Sequence, residues 1–587
     1  MKLKKLQIHN WRSIKDVEIY FQNLMVFVGQ NNHGKSNVLS AILFFFGTTT
    51  CTDPDFNKDS EEAFVEITFD SLDDQDKSRF AKYLAADETF AVRRQITKGE
   101  TAEYHGYLDI PQDEWLKEEN IGNYISHESI SATPLGTLVP ATGRITKEIV
   151  RQAQDDYISA NRAGIIFSRA LETGNFLGSK TLPQGIFGDV FFVPAVKNAA
   201  DDLNPKGKSP FNSLLTNVIN EMSSSNAAYI AVKEQIRTLM TTLSKKLVDG
   251  SNNTERPEQI SRLEELLESE LATWNTKIDI DIAAPDVDEA LKLGTNVVVD
   301  DGVRTDINRK GNGLQRSLIF ALIKSWAKIS QEKKVRNDGE EGMVSKSTYF
   351  IFEEPELYLH PQAQRELFSS LKKLSEIESQ VFLSTHSSSF VDLGRSESIC
   401  VVYKKSLEEG TKCLQCTKKL FEDLAEEKKF NLTYWINPDR GELFFARKVI
   451  LVEGQTEKTV IPWLAKHKAD ILKYDYTIID CGGKDNLPLF IRLLNNFKLP
   501  YVVVYDRDHQ VNKLPADIVT SDALNTRIEE TVDATYGSTV IFENDIEEEI
   551  GLAGTNRSKA YRALEHISED GFICPDPLRD KIGAIYS

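Results

Sequence analysis

Apolar and β-branched residues in this chain gather into short unbroken runs that stop on a glycine, a histidine or an acid. The clearest are "LMVFVG" (24–29), "YFIFEE" (349–354), "QVFLSTH" (380–386), "VILVEG" (449–454), "YVVVYD" (501–506) and "TVIFEND" (539–545). Runs of this length without alternation predict strands buried on both faces, the habit of parallel sheets. The first and fourth pass at once into helical periodicity, in "GKSNVLSAILFFF" and "QTEKTVIPWLA", so each predicts a strand, a tight turn and a helix. Pattern alone therefore predicts an α/β chain.

Between "GDVFFVPAVKN" and "NRKGNGLQR" the period changes. Leu214, Leu215, Val218, Ile219 and Met222, then Ile236, Leu239, Met240, Leu243 and Leu247, then Leu263, Leu266, Leu267, Leu271 and Trp274 recur at helical spacing. Residues 205–280 read as a short helical insert, and as a dimerisation module in preference to helices packed wholly within one chain.

Length changes the picture first: 587 residues exceed one hydrophobic core, so three or four domains are expected. With 41% hydrophobic and 27% charged residues and no low-complexity tract, nothing in the composition suggests extended disorder. The basic start "MKLKKLQIHNWRSIKDVEIYF" leads into no long apolar stretch, and "AILFFFG" is far shorter than a membrane span. A cytoplasmic protein without a membrane segment is the expectation. Six scattered cysteines form no disulfide framework, and Cys413 with Cys416, the one CxxC, is at most half a zinc site. A net charge of −19 excludes coating of nucleic acid by overall positive charge. Residues 451–587 carry 15 Lys and Arg against 23 Asp and Glu, so their carboxylates need compensation, and divalent cations can supply it.

"GQNNHGKS" matches the GxxxxGKS phosphate loop at Gly29, Gly34, Lys35 and Ser36, in the expected strand–loop–helix setting. Glycines let backbone N–H groups wrap phosphates, Lys35 reaches the outer ones, and the Ser36 hydroxyl can hold magnesium. Asn31, Asn32 and Asn37 join them as candidate nucleotide contacts. At the end of "YFIFEE", Glu353 is assigned to magnesium and Glu354 to the attacking water. His386 closes the next strand, where an imidazole can touch a terminal phosphate. Gly311 and Gly313, with Gln315, open a helix in "KGNGLQR" and offer N–H groups to an anion.

The second group of acids has no phosphate loop. Glu453 ends a strand and Glu457 falls in the first turn of the following helix. Asp506 and Asp508, two apart, are expected on one side of an extended segment, where two carboxylates can ligate one metal. "STVIFENDIEEEIG" places Glu543, Asp545 and Glu547 similarly. Acids at the ends of successive parallel strands line the carboxyl edge, where α/β folds bind ligands, and two divalent ions there suit phosphodiester cleavage.

The first group, with the opening "LQIHNWRSIKDVEI", resembles the ABC-type ATPase heads of the SMC, RecF and OLD families. The resemblance implies ATP and Mg²⁺, a phosphate contact at Arg12, and a homodimer or higher homo-oligomer in which one subunit's signature loop closes over another's nucleotide. Glu353 stands where that pattern commonly has Asp, and Asn312 where transporter signatures have Ser. The second group resembles the Toprim fold. Together they are similar, over nearly the whole chain, to the OLD (overcoming lysogenization defect) nuclease family, to which the nuclease subunit of the Gabija antiphage system belongs. That likeness implies metal ligands at Glu453, Glu457, Asp506, Asp508, Asp545 and Glu547, holding Mg²⁺ or Mn²⁺, with Glu453 and Asp506 central to catalysis. It implies a charge-stabilising lysine, for which Lys559 fits best and Lys581 remains an alternative.

The implied architecture is an ATPase head in two parts, 1–204 and 281–425, around the insert 205–280, followed by a Toprim domain over 440–587. The implied activity is ATP-regulated, metal-dependent DNA endonucleolysis in phage defence, with a helicase or other operon partner. An ATP-dependent DNA sensor or scaffold with a non-catalytic Toprim domain is the competing expectation. Topoisomerase would need a tyrosine nucleophile on a further DNA-binding module, for which no segment remains.

Overall fold

Leu3, Leu6, Ile8 and Trp11 are buried along Lys2–Trp11 while Lys4 is exposed, so this strand shows one face to a core. It starts an antiparallel sheet in the computed structural model of the chain. The structure describes all residues except 162–163, 181, 184, 196–214, 217, 220–225, 247–252, 255, 272–276, 281–297, 338–346, 377–378, 417–419, 422–425, 427, 429–437, 472, 510–513 and 553–558. The chain parts into two units, one formed by Met1–Val190, Lys346–Glu356 and His360–Ser587, the other by Phe191–Ser345 with Leu357–Leu359.

In the first unit the antiparallel sheet runs Ile14–Tyr20, Lys2–Trp11, Glu62–Asp70, Phe90–Thr97, Glu103–Pro111, Phe167–Leu171. A second sheet holds the unbroken apolar runs, in the order Lys412–Gln415, Ile399–Tyr403, Leu24–Val28, Ser379–Ser384, Thr348–Glu353, and at its edge the strand that begins at Asp189. Its central strands are parallel, as unalternated burial requires. The helix Lys35–Phe45 packs against strands of both sheets and is buried almost all round. At its C-terminal end, Phe45 meets Phe69 and Phe187, and Phe46 meets Tyr349, so aromatic rings from both sheets close on it.

The C-terminal part of this unit is a four-stranded, all-parallel sheet in the order Tyr476–Asp480, Lys448–Val452, Tyr501–Asp506, Gly537–Phe542. Ile450, Val452, Val502 and Val504 share one core with the helices Gln455–Lys468, Lys559–Ser568 and Asp576–Ile585. Parallel register sets Val452 opposite Asp480 and Asp506 opposite Phe542, so the acid-bearing strand ends lie along one edge.

The second unit contains the hairpin Val298–Asp300 with Arg304–Asp306 and the helices Ala227–Leu243, Glu258–Glu270 and Asn312–Asn337. Leu239, Leu263, Leu266, Leu267 and Leu271 of the predicted apolar stripes are exposed, and Ile219 is buried. Leu214, Met222, Leu247, Trp274 and the Met240 side chain lie outside the described residues. Among the described residues, no helix is long and apolar enough to cross a membrane.

Candidate functional site

The predicted phosphate loop is built around two glycines that no other residue can replace. Gly29 has φ 141°, and a Cβ there would meet the Val402 carbonyl oxygen at 2.1 Å; Gly34 has φ 102° and caps the helix from Lys35, with Thr411 Oγ1 2.4 Å from where its Cβ would stand. No side chain caps that helix, so its first N–H groups stay available to an anion. The Lys35 ammonium is buried and donates to the carbonyls of Gly29 (2.9 Å) and Gln30 (3.0 Å). Burial brings its pKa down to about 8, against the opposing pull of Glu354 and Glu356. Asn32 takes φ 62° within the loop, and Ser36 follows Lys35 in the helix's first turn. Asn31 lies in the loop itself and is exposed.

Two predicted contacts are engaged elsewhere. Asn37 Nδ2 donates to Ser13 Oγ at 2.7 Å, tying the helix to the turn between the first two strands. Arg12 Nε donates to Asp55 Oδ1 at 2.8 Å from a backbone with φ 49°.

Glu353 ends its strand opposite Ser384, and Glu354 turns out of it in the left-handed region at φ 44°. His386 Nε2 lies 3.4 Å from Glu354 Oε1, so the sheet brings these two together. Burial and then the Lys35 charge hold the His386 pKa below its usual value. Sequence reasoning missed Glu356, whose Oε1 accepts the His386 N–H at 2.6 Å and whose buried Oε2 has no partner among the described residues. Burial raises its pKa, and its charge reaches Lys35. The signal was present in "EEPE", a third acid two residues beyond the pair.

In the second unit, Gly311 precedes the helix Asn312–Asn337, which opens with Gly313 and Gln315. The buried Gln315 spends Nε2 on the Lys310 carbonyl (2.7 Å), and its Oε1 is unpartnered among the described residues.

At the carboxyl edge of the parallel sheet, Glu453, Glu457 and Asp506 come together. Glu453 Oε1 accepts the Asp506 N–H at 2.9 Å. Glu457 Oε2 accepts the Gly454 N–H at 2.9 Å, which fixes the carboxylate across the first turn of its helix. Asp506 is 8% exposed, and its Oδ1 has no partner among the described residues. Burial, then Glu453, Glu457, Asp508 and Asp545, push Asp506 up to about 9. Burial raises Glu453 to about 7 and raises Glu457 as well. Carboxyls this reluctant to ionise, one with an orphaned oxygen, have the hard oxygen donors and the charge deficit that a divalent cation answers. Among the described residues, however, no three acids, histidines or cysteines converge at ligating distance. Backbone N–H groups and a lysine occupy several of their oxygens instead.

Asp508 departs from expectation. The strand ends at Asp506, Arg507 N–H donates to the Phe542 carbonyl (2.7 Å), and Asp508 adopts φ 63°, so strand alternation does not place it. Its Oδ2 accepts from Lys484 Nζ at 2.8 Å. Lys484 was also missed, although "CGGKDN" marks it by the glycine pair. Asp545 caps the short helix Ile546–Glu549 through the Glu548 N–H (2.8 Å), and the buried Glu547 charge reaches Glu457. Lys559 Nζ lies 3.4 Å from Glu547 Oε1 and is half exposed, whereas Lys581 pairs with Glu549. Glu543 is on the rim, in an ion pair with Arg507 at 3.0 Å.

Comparison with known proteins agrees with this two-part construction. Residues 1–391 match the AAA ATPase domain family, and residues 444–508 match the TOPRIM domain of overcoming lysogenization defect protein-like chains. The chain is 24% identical to the Old nuclease of Escherichia phage P2, over 98% of this chain and 87% of that one. It is 23% identical to the OLD nuclease of Thermus scotoductus, over 99% and 98% of the two chains. The endonuclease GajA of Bacillus cereus is 28% identical over 29% of this chain and 27% of its own length. With an ATPase head over its N-terminal two thirds and a TOPRIM edge of buried acids after it in sequence, the chain belongs to the AAA ATPase domain family and is homologous over nearly its whole length to OLD nucleases.

Proposed function

We propose that this protein is a divalent-metal-dependent DNA endonuclease whose TOPRIM site is regulated by ATP at the head. The observation that carries the nuclease reading is Asp506, a buried carboxylate with an unpartnered oxygen among Glu453, Glu457, Asp508 and Asp545. A nuclease of DNA must neutralise an anionic backbone, and an acidic edge does so only with cations. Glu453, Glu457 and Asp506 would hold Mg²⁺ or Mn²⁺, with Asp508, Asp545 and Glu547 around them and a second ion beside the first. Such ions polarise the scissile phosphate and lower the pKa of a bound water. The chain itself contributes Lys559, held beside Glu547, to the charge developing on the phosphate.

In the head, Lys35, the free helix N-terminus and Ser36 receive the nucleotide phosphates. Glu353 orients magnesium, Glu354 the attacking water, and His386 the terminal phosphate. Gly311, Gly313 and Gln315 act on nucleotide held by a second copy of the chain, so the working unit is a homodimer or larger, with residues 205–280 as its dimerisation insert. Parts 1–204 and 281–425 form the head and 440–587 the nuclease domain. A role in phage defence fits the same family reading.

Regulation is supported by a packed path inside the first unit. The turn Ser388–Phe390, two residues after His386, packs on Pro438–Phe445, where Gly441 sits so close that a Cβ would lie 3.2 Å from Val391 Cβ and 3.3 Å from the Ser388 carbonyl oxygen. The adjoining Arg440 is buried and donates to the Asp480 carbonyl. Asp480 in turn accepts from Gly482 N–H (2.7 Å) and from Gln455, at the head of the helix that carries Glu457. A shift at His386 thus has a physical route to the acids.

The test is supercoiled plasmid with Mg²⁺ or Mn²⁺, with and without ATP, cut by the parent, Asp506→Ala and Lys35→Ala proteins. Cleavage that disappears in Asp506→Ala and loses its response to ATP in Lys35→Ala is the expected result. An inert parent, or undiminished cutting by Asp506→Ala, removes the nuclease reading.

A further inference from the structure

One buried cation at the acidic edge has no part in the nuclease reading. Lys484 begins the single turn Lys484–Asn486, directly after Gly482 and Gly483, whose φ values of 73° and 131° lie in the region that favours glycine. The loop is pinned at both sides: Gly482 N–H donates to Asp480 Oδ1 at 2.7 Å and Gly483 N–H to the Glu453 carbonyl at 2.8 Å. It therefore delivers Lys484 to a fixed place among the strand ends. The side chain is 9% exposed. Its ammonium donates to the Asp506 carbonyl and to Asp508 Oδ2 (2.8 Å), and lies 5.7 Å from the centre of the Tyr505 ring. Of the three donor directions of an ammonium, two are spent on these oxygens.

The acids of this edge are thus in two conditions. Asp508 is answered by a cation of the chain. Asp506 has an oxygen that nothing in the described residues answers, and beside it Glu453 accepts the Asp506 N–H and Glu457 the Gly454 N–H, neither in a side-chain ion pair among the described residues. If Asp508 left Lys484 to ligate a metal, a buried ammonium would lose its counter-charge beside a newly arrived dication, a strongly unfavourable exchange. On the Asp506 side a metal would break no side-chain ion pair among the described residues, although the Lys484 charge reaches Glu453 as well.

We propose that Lys484 makes the two metal positions of the TOPRIM edge unequal: one divalent ion binds tightly at Asp506, Glu453 and Glu457, while the Lys484–Asp508 pair keeps the second position weak. Lys484 is a positioning residue, holding Asp508 and the Asp506 backbone rather than touching the reacting atoms. The inference rests on the metal-site reading above and deepens it.

The test counts ions instead of cleavage. The full-length chain, free of nucleotide, is titrated with Mn²⁺ and the free ion is read by electron paramagnetic resonance. The parent is expected to bind one Mn²⁺ tightly and a second at least tenfold more weakly. Lys484→Met tightens the second ion tenfold or more, Lys484→Arg keeps the inequality, and Asp508→Asn removes the second ion while sparing the first. Two equal ions in the parent, or a second ion indifferent to Lys484→Met, overturns the proposal; so does loss of the tight ion in Asp508→Asn, which guards against a poorly folded Lys484→Met. Asp506→Asn separates the two levels, because a tight ion that survives it removes the metal-site reading itself and the proposal with it.

Discussion

Asp506→Asn should abolish cleavage and at the same time stabilise the metal-free protein. The carboxyl rises from an ordinary value of 3.8 to about 9 in the folded chain, with burial as the largest cause and Glu453 next. A raised carboxyl pKa means that the folded state prefers the proton. Below about pH 4 both folded and unfolded chains are protonated at this group, and it contributes nothing. As pH rises from there to about 9, the unfolded chain ionises freely and the folded one does not, so stability is lost across that window. At pH 7 about three pH units of the window have passed, a penalty of roughly 4 kcal/mol at 1.36 kcal/mol per unit. Asparagine has nearly the same shape and does not ionise, so the unfolded chain no longer gains from losing a proton there. The substitution should therefore recover about 2–4 kcal/mol at pH 7, and more at pH 8 than at pH 5.5.

Hydrogen exchange of the peptides spanning Lys448–Val452 and Tyr501–Asp506, in chelator and then in Mn²⁺, reads this locally rather than through the melting of a multidomain chain. In chelator the variant should be the better protected, increasingly so with pH. In Mn²⁺ the order should reverse, because only the parent has the charge to hold the ion. A variant no better protected than the parent in chelator at pH 8, or a gain that ignores pH, would refute the electrostatic account of this edge.

Three further outcomes follow from the geometry. Glu354→Gln should retain nucleotide, measured with a fluorescent ATP analogue, and lose phosphate release by on the order of 100-fold or more, because Glu354 is the acid brought within 3.4 Å of His386. Lys559→Ala should lower cleavage by roughly 100-fold with Mn²⁺ binding intact, and Lys581→Ala, removed from Glu547 by its pairing with Glu549, should change cleavage little. Gly441→Leu overfills the seam at Val391 and Ser388 at a cost of about 1–3 kcal/mol; ATP hydrolysis should persist while plasmid cleavage stops responding to ATP.

Much of this site is visible in local pattern, for a physical reason. The phosphate loop, the buried parallel strands and the placement of Glu453 and Glu457 across one strand–helix turn depend on residues a few positions apart, and periodicity reports on these directly. Asp508 shows where pattern misleads. A spacing of two means one face only while the strand continues, and here it stops at Asp506, where the backbone turns to φ 63° two residues on. Lys484 and Glu356 carry a local mark, but their roles were hidden for another reason. Their partners, Asp508 and the His386 N–H, lie 24 and 30 residues away and arrive through strand order, which no local window contains. The glycine pair before Lys484 signals a special turn but not what the turn delivers.

The two acid-ended strands differ most in the sign of what is buried beside them. In the head a cation is buried beside the acids: Lys35, its pKa lowered by burial to about 8 against the pull of Glu354 and Glu356, spends its hydrogen bonds on two loop carbonyls beside a helix N-terminus. A polyphosphate would meet both that ammonium and the helix N-terminus directly, so the loop side of the site suits an anion before any metal arrives. At the TOPRIM edge the excess is negative, and a phosphodiester is negative too. On the nuclease reading, substrate and site repel until cations intervene, and Lys484, paired with Asp508 and reaching Glu453, meets only part of the excess. The proposed metal dependence would thus be a consequence of charge at the second site, not only of chemistry. Any signal from the head that moves Lys484 relative to Asp508 would change how many ions the edge can hold, and with it the affinity of the edge for DNA.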